Sequence, residues 1–257
     1  MLIEGDSPVV QKLNGIHEAG TAALRAGSVE PFTGYPETLK NRFGVYFRYT
    51  EKSERLLRDR RILNEVEEIA QDLGIGLFLA GRPNPGGYPL HTTVLEGLYE
   101  GGSDPRPFVF GEDSMMESGG LRDNVFHRGS ALDRTKLGDL YYAILAPEKR
   151  DYQLKFNAVL VDKGPVLLAA TEIPQEIIDI RGELAEIYTQ AGCKPLPLDN
   201  LLHMTLTRMT RVVDPLQADE YIRQMRLLHQ EVVEDPLFLS VRTIDRKNAF
   251  DMLTSAL

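Results

Sequence analysis

The segment LHMTLTRM, at residues 202–209, decides the fold that this sequence predicts. Its apolar residues alternate with His203, Thr205 and Thr207, and this two-residue period is typical of a strand with one apolar and one polar face. Because side chains two positions apart share a face of a strand, the imidazole and both hydroxyls are expected to point to the same side. Arg208 follows Thr205 by three residues and is expected on the opposite face, unless the strand twists or bulges.

A second copy of this pattern lies 112 residues earlier, in the segment HTTV at residues 91–94. Both segments read His, any residue, Thr and then an aliphatic residue, and both lie in apolar, strand-like stretches that follow a predicted helix. His91 and Thr93 are therefore expected to share one face of their strand. The alternative is that both histidines are partly buried structural residues, with neighbouring hydroxyls as their hydrogen-bond partners. A matched pair on two strands favours a common site.

Both halves of the chain show a similar order of elements, in which a strand and a helix precede the histidine strand. The predicted strands cover residues 44–49, 76–80, 88–96, 154–161, 166–170, 201–209 and 237–244. The predicted helices cover residues 9–26, 51–73, 174–190 and 215–232, the last beginning with Asp214 as N-cap and Pro215. This order predicts an α+β fold of two similar lobes, each an antiparallel sheet with its helices on the outer side.

The predicted elements divide the chain into four segments. Residues 1–41 form an N-terminal extension, and residues 42–257 form the two-lobed domain. Within this domain the first lobe covers about residues 42–97 and the second lobe about residues 151–257. The segment between them, about 97–150, is rich in Gly, Asp, Ser and Arg and shows little periodicity. Such a segment is either a lid over a site or a surface insertion, and a surface insertion is the expected case.

The composition restricts the classes of function. The net charge of −9 argues against a broad basic surface for nucleic acid, but it allows a pocket that binds one phosphate. The single cysteine, Cys193, excludes an internal disulfide and a cysteine-based zinc site. No run of about 18 apolar residues is present to span a membrane, and the first residues lack the pattern of a signal peptide. A cytoplasmic protein without membrane contact is expected.

Several other side chains are weighed as candidates for function. Tyr88, Tyr46 and Phe47 can stack on a nucleobase, although aromatic residues on strands more often pack in a core. His17 and His229 lie in predicted helices and are expected at the surface. The sequence holds neither a GxxxxGK[ST] phosphate loop nor a GxSxG elbow, so it supports neither a P-loop nucleotidase nor a serine hydrolase.

The two His-x-Thr motifs and the elements around them resemble the two-histidine (2H) phosphoesterase superfamily. This superfamily includes bacterial RNA 2′,3′-cyclic phosphodiesterases and 2′-5′ RNA ligase-like proteins. The resemblance is best over residues 153–245, where a hairpin, a helix and the segment HMTLTR follow in the family's order. In the first half it rests on PLHTTVLEG at residues 89–97. It covers neither the first 40 residues nor the segment 97–150.

The resemblance implies two lobes related by a pseudo-two-fold axis, each presenting one histidine strand to a central cleft. It identifies His91 and His203 as the acid/base pair, and Thr93 and Thr205 as donors to the phosphoryl oxygens. Histidine suits both roles because its ordinary pKa, about 6.5, lets one copy be neutral and the other protonated near neutral pH. No metal and no cofactor are expected, since two histidines without a nearby Asp, Glu or Cys cluster fall short of a zinc site.

The expected activity is metal-independent hydrolysis of a cyclic phosphate or of a short nucleotide phosphodiester. The expected partner is a small nucleotide or a short RNA terminus, bound without an extended nucleic-acid track. Thr207, Arg208 and Tyr88 are the further candidates for contact with this substrate. Two alternatives stay open: a nucleotide-binding module of the same fold without turnover, and a partner-binding protein whose 97–150 segment is the interface. Either histidine can act as the base, with the other as the acid.

Overall fold

The structure is a computed structural model that describes residues 2–29, 31–32, 42–79, 91–99, 109–110, 126–127, 151–190, 193–196, 201–211 and 213–242. Its helices are α1 (Pro8–Arg25), α2 (Glu51–Asp59), α3 (Ile62–Asp72), α4 (Gln175–Gln190) and α5 (Pro215–Glu234). Its strands are β1 (Arg42–Tyr49), β2 (Leu77–Leu79), β3 (His91–Tyr99), β4 (Val109–Phe110), β5 (Phe126–His127), β6 (Asp151–Phe156), β7 (Ala158–Val161), β8 (Pro165–Ala170), β9 (Cys193–Pro195), β10 (Leu202–Met209) and β11 (Leu237–Arg242). The predicted α+β class is confirmed. No helix within the described ranges is both long and apolar enough to cross a bilayer.

Nine of these strands form one antiparallel sheet, in which the strands of both halves of the chain interleave. Its main path runs β6-β11-β1-β3-β10-β8-β7. The histidine strands β3 and β10 are therefore neighbours at the centre of the path, flanked by β1 and β8. The short strand before each histidine strand pairs with the other one: β2 pairs with β10, and β9 pairs with β3.

The predicted single strand at residues 154–161 is wrong, because the chain moves from one end of the sheet path to the other at Asn157. This residue separates β6 from β7. Its Nδ2 donates to Thr171 Oγ1 at 2.8 Å, and its Oδ1 accepts from the Thr171 backbone N–H at 3.1 Å. These side-chain bonds satisfy polar groups at the point where the strand changes partners.

The predicted helix at residues 51–73 is also divided, into α2 and α3. The break lies at Arg61, whose φ of 54° is in the left-handed region that a continuous α-helix excludes. The predicted start of α5 is confirmed. Asp214 accepts a hydrogen bond from a backbone N–H of the first turn at 2.9 Å, and Pro215 takes the first helical position.

The sheet carries hydrophobic clusters on both faces. The main core lies on the face to which Leu168 and Met204 point, and helices α3, α4 and α5 contribute side chains to it. A smaller cluster lies on the other face of β7 and β8, where Leu167 packs with Ile3 and Leu13 of the N-terminal extension. The extension is thus packed against the sheet and contributes buried side chains to it.

The outer edge of β7, which no described strand covers, is capped by two helical histidines. The Val159 backbone N–H donates to His229 Nδ1 at 3.1 Å, and the Val161 N–H donates to His17 Nδ1 at 3.3 Å. The expectation that His17 and His229 lie at the surface is wrong, since both are buried. Their helices, α1 and α5, cover the sheet edge, and each imidazole accepts from an N–H that a further strand would otherwise bind.

Helix α1 lies close to β7 at Gly20. A Cβ placed on this residue would lie 2.3 Å from the Val161 carbonyl oxygen. Glycine is therefore required at this contact between helix and strand.

Candidate active site

The two histidine motifs lie side by side on adjacent antiparallel strands. Thr92 of β3 is paired with Met204 of β10. Continuing this register by one residue in each direction places each histidine opposite the threonine of the other motif. We call these four residues the HxT patch: His91, Thr93, His203 and Thr205.

The two motifs also share one pattern of burial. In each strand the histidine and the threonine two positions later are partly exposed, while the residue between them and the two residues after the threonine are buried. The HxT patch therefore lies on one face, as the two-residue period predicts. The opposite face, to which Thr92 and Met204 belong, is fully buried.

Both histidine strands bulge at the third residue after the histidine. The pairing of β1 with β3 skips Val94, and the pairing of β8 with β10 skips Leu206. An extra residue in one strand reverses the alternation of side chains beyond it. The two bulges therefore end the shared face at the same point of both motifs.

The bulge at Leu206 corrects two predictions about β10. Thr207, expected on the same face as the patch, is buried, and its Oγ1 has no hydrogen-bond partner among the described residues. Arg208, expected on the opposite face, is partly exposed and falls on the side of the patch. Arg208 is therefore retained as a candidate for substrate contact, whereas Thr207 belongs to the core.

The diagonals of the HxT patch set the spacing of its chemical groups. The two histidines occupy one diagonal and the two threonines occupy the other. Residues at diagonal positions of an antiparallel pair lie about 7–8 Å apart. This spacing leaves room for one phosphoryl group between the imidazoles, with a hydroxyl on either side of it.

Strand β3 is anchored from the buried face. Tyr49 Oη is hydrogen-bonded to Thr92 Oγ1, between the two patch residues of this strand. Burial raises the pKa of Tyr49, so the phenol stays protonated and can donate this bond. The Tyr49 ring also packs against Phe156, with the ring centroids 6.2 Å apart. These contacts hold the backbone between His91 and Thr93.

His203 is largely enclosed by the protein, although part of its side chain reaches the surface, and its charged neighbours are positive. Burial, followed by His91, Arg181 and Arg208, lowers the pKa of His203 to about 4. His203 is therefore neutral near neutral pH. An anion bound here would offset the repulsion among these groups, so the electrostatics of the patch favour a phosphate over a cation.

The N-terminal extension borders the patch on one side. His203 pairs with Ala169 and Thr205 pairs with Leu167, so these residues of β8 lie on the same face of the sheet. Leu167 and Ala169 belong to the smaller hydrophobic cluster, to which Leu13 of α1 also belongs. The β8 side of the candidate site is therefore an apolar wall built partly from the extension.

One aromatic ring lies against Arg208, and a second ring packs against the first. The Arg208 Cζ is 5.4 Å from the centroid of the Phe32 ring, and the Phe32 and Phe78 rings are 5.3 Å apart. The Phe32 backbone N–H donates to the Met209 carbonyl oxygen at 2.7 Å, which ties this part of the chain to β10. Both rings are partly exposed. A cation beside partly exposed rings is suited to a planar group such as a nucleobase.

Two sequence-predicted features lie outside the described residues: Tyr88, and most of the segment 97–150. Within that segment β3 continues to Tyr99, and the backbones of β4 and β5 pair through Val109 and His127. In the described part of the chain, no three His, Cys, Asp or Glu side chains are grouped as a metal site requires.

Arg181 is a buried residue of the site that sequence reasoning missed, as it missed the rings of Phe32 and Phe78. It lies between Ile177 and Leu184 at the helical spacing of the apolar stripe of α4, and all three are buried. A cation inside an apolar stripe is the signal that identifies it, because arginine is rarely buried without partners.

Comparisons of the chain with models of protein families, with curated proteins and with solved structures gave no match. The function is therefore argued from the chemistry of the site.

Proposed function

We propose that this protein is a metal-independent phosphodiesterase that hydrolyses a cyclic phosphate or a short nucleotide phosphodiester. The observation that carries the proposal is the register of β3 and β10, which brings two histidines and two threonines onto one partly exposed face. This set supplies the groups that in-line hydrolysis of a phosphodiester needs: a base, an acid and donors to the non-bridging oxygens.

In this proposal His203 is the base and His91 is the acid. The low pKa of His203 supports its role, because a neutral imidazole can accept the proton of the attacking water. The water oxygen forms a bond to phosphorus while the bond to the leaving oxygen breaks, and His91 protonates that oxygen. The Thr93 and Thr205 hydroxyls donate to the non-bridging oxygens, whose negative charge grows in the transition state.

We also propose that the two histidine strands belong to two similar lobes related by a pseudo-two-fold axis around a central cleft. Three features support this relation. Each histidine strand follows a short strand that pairs with the opposite histidine strand. Each bulges at the third residue after its histidine. Each shows the same sequence of buried and partly exposed residues through its motif.

The proposed substrate is a small nucleotide or a short RNA terminus. Arg208, Phe32 and Phe78 support a site for a nucleobase or ribose beside the phosphate. The net charge of −9 and the apolar wall on the β8 side do not favour a long polyanion.

The proposal is tested with 2′,3′-cyclic mononucleotides, 3′,5′-cyclic mononucleotides and short 2′-5′-linked dinucleotides, each assayed in excess chelator. We expect at least one class to be hydrolysed, with one water added per phosphodiester cleaved. Saturable binding without hydrolysis across all three classes would contradict the proposal and identify a nucleotide-binding module instead.

A further inference from the structure

The buried guanidinium of Arg181 is hydrogen-bonded, at one end of the HxT patch, to backbone carbonyls of both histidine-bearing segments. Its Nε donates to the Val94 carbonyl oxygen at 2.8 Å. Its Nη2 donates to the Thr93 carbonyl oxygen at 3.3 Å and to the Leu201 carbonyl oxygen at 2.7 Å. One side chain of α4 thus joins β3 to the residue that immediately precedes β10.

These three carbonyls lie where the two histidine strands separate. The strands are paired at Thr92 and Met204, and the far end of β3 then pairs with β9. Hydrogen bonds between β3 and β10 end at this point, and the guanidinium links the two segments in their place. Its N–H donors have a fixed planar geometry.

We propose that Arg181 is a positioning residue for the reaction proposed above, because it fixes the spacing of β3 and β10 and so the spacing of His91 and His203. Only the expected fall in kcat rests on the proposed function; the positioning of the two strands does not. The contacts reach the backbone at Thr93, within one motif, and at Leu201, two residues before the other histidine. A shift of either strand at these points moves the two imidazoles relative to each other.

The charge of Arg181 affects the pKa of His203, and an uncharged structural contact would not have this effect. Burial lowers the pKa of Arg181 to about 10, so it stays protonated at neutral pH. None of its hydrogen-bond partners among the described residues is a carboxylate, so no ion pair within this part of the chain neutralises its charge. The other charged or titratable neighbours that depress the pKa of His203 are His91 and Arg208. Removing the Arg181 charge must therefore raise that pKa.

The test compares Arg181→Met with Arg181→Lys, using NMR titration of the His203 ring and steady-state kinetics. In Arg181→Met we expect the pKa of His203 to rise and kcat to fall by about 10²-fold, since small displacements of reacting groups have that cost. In Arg181→Lys the charge remains but the planar fork is lost. There we expect the pKa of His203 to stay low while kcat still falls, with KM little changed in both variants.

Arg223→Met is the matched control, because Arg223 lies exposed on α5 and pairs with Glu220. It should leave both the titration and the kinetics unchanged. A folded Arg181→Met protein in which His203 titrates as in the wild type would overturn the proposal. The titration needs no substrate, so it tests the effect of the Arg181 charge on His203 even if no phosphodiester is hydrolysed.

The wild-type protein gives a test that needs no substitution. The buried hydrogen bond from Arg181 Nε to the Val94 carbonyl oxygen should give slow exchange of the Nε–H with solvent and a through-bond coupling to the Val94 carbonyl carbon. Fast exchange of this proton in the wild-type protein would overturn the proposal, including in the case that neither variant folds.

Discussion

Thr92 of β3 lies directly opposite Met204 of β10, and both side chains are fully buried. This one pair sets the register of the HxT patch. A slip of one residue would turn the patch residues of one strand towards the core, because successive side chains of a strand point to opposite faces. The hydrogen bond between the Tyr49 and Thr92 hydroxyls and the contacts of Arg181 act on this part of the sheet. The chemistry of the site thus depends on strand pairing.

The two threonines of β10 should behave differently. Thr205→Val should lower kcat by about 10²-fold, because a donor to the phosphoryl oxygens is lost. Thr207→Val should leave kcat unchanged, since Thr207 is buried and its hydroxyl has no partner among the described residues. Its free energy of unfolding should stay equal or increase, because an unpaired buried hydroxyl is replaced by a methyl group. Equal losses of kcat in the two variants would contradict the bulged register.

The stacking of Arg208 on Phe32 should contribute to substrate binding. Phe32→Leu keeps an apolar side chain but removes the ring beneath the guanidinium, which lies 5.4 Å from its centroid. We expect KM for a nucleotide substrate to rise about two- to fivefold with kcat unchanged, as a weak cation–π contact of this kind predicts. Phe238→Leu is the control, because Phe238 is an exposed ring on β11. A loss in kcat without a change in KM would refute this role.

Acid should destabilise the protein through the histidines that cap β7. Burial, with nearby positive charges, lowers the pKa of His17 to about 4, and burial also lowers that of His229. A group with a lowered pKa is protonated first in the unfolded chain, so stability is lost as the pH falls from about 6.5 towards 4. Asparagine can place Oδ1 near the position of Nδ1 without titrating in this range. Urea unfolding of His17→Asn should therefore show a smaller loss between pH 7 and pH 5 than the wild type shows, and an equal loss would refute the role.

The contact of α1 with β7 is tested by two glycines of one helix. Gly20→Ala should lower the free energy of unfolding by about 1–3 kcal/mol, because its Cβ would meet the Val161 carbonyl oxygen. Gly15→Ala should raise it by about 0.5–1 kcal/mol, since no described atom beyond its own stretch of helix lies within 4 Å of that Cβ and alanine favours the helix. Thermal unfolding of both variants measures the difference. A stabilised Gly20→Ala protein would show that the helix does not lie against β7 in this way.

The central strands and their partly exposed residues could be predicted from the sequence because their signal is local. The two-residue period placed His203 and Thr205 on one face, and the structure has them there. The same period failed at Thr207 and Arg208, because a bulge is a property of the pairing with β8 and leaves no mark in the strand itself.

Features that depend on distant contacts could not be predicted in the same way. The strand breaks at Asn157 because β6 and β7, which are consecutive in the chain, lie at opposite ends of the sheet path. A local sequence pattern carries no information about this arrangement. In the sequence, His17 and His229 look like surface residues of amphipathic helices. They are buried because the fold places the edge of β7 beside them. The position of Arg181 in an apolar stripe indicates from the sequence that it is buried. Its partners could not be predicted, because they are backbone carbonyls that only the fold brings together.

The most direct test of the central claim is the rate of hydrolysis of the best cyclic phosphate by the wild type, His91→Ala, His203→Ala and the double variant, all in excess chelator. We expect each single substitution to lower kcat by about 10²–10⁴-fold. The double variant should lose far less than the product of the two single effects, because acid and base act in one step. Wild-type rates in both single variants would contradict the claim that the paired histidine strands form the active site.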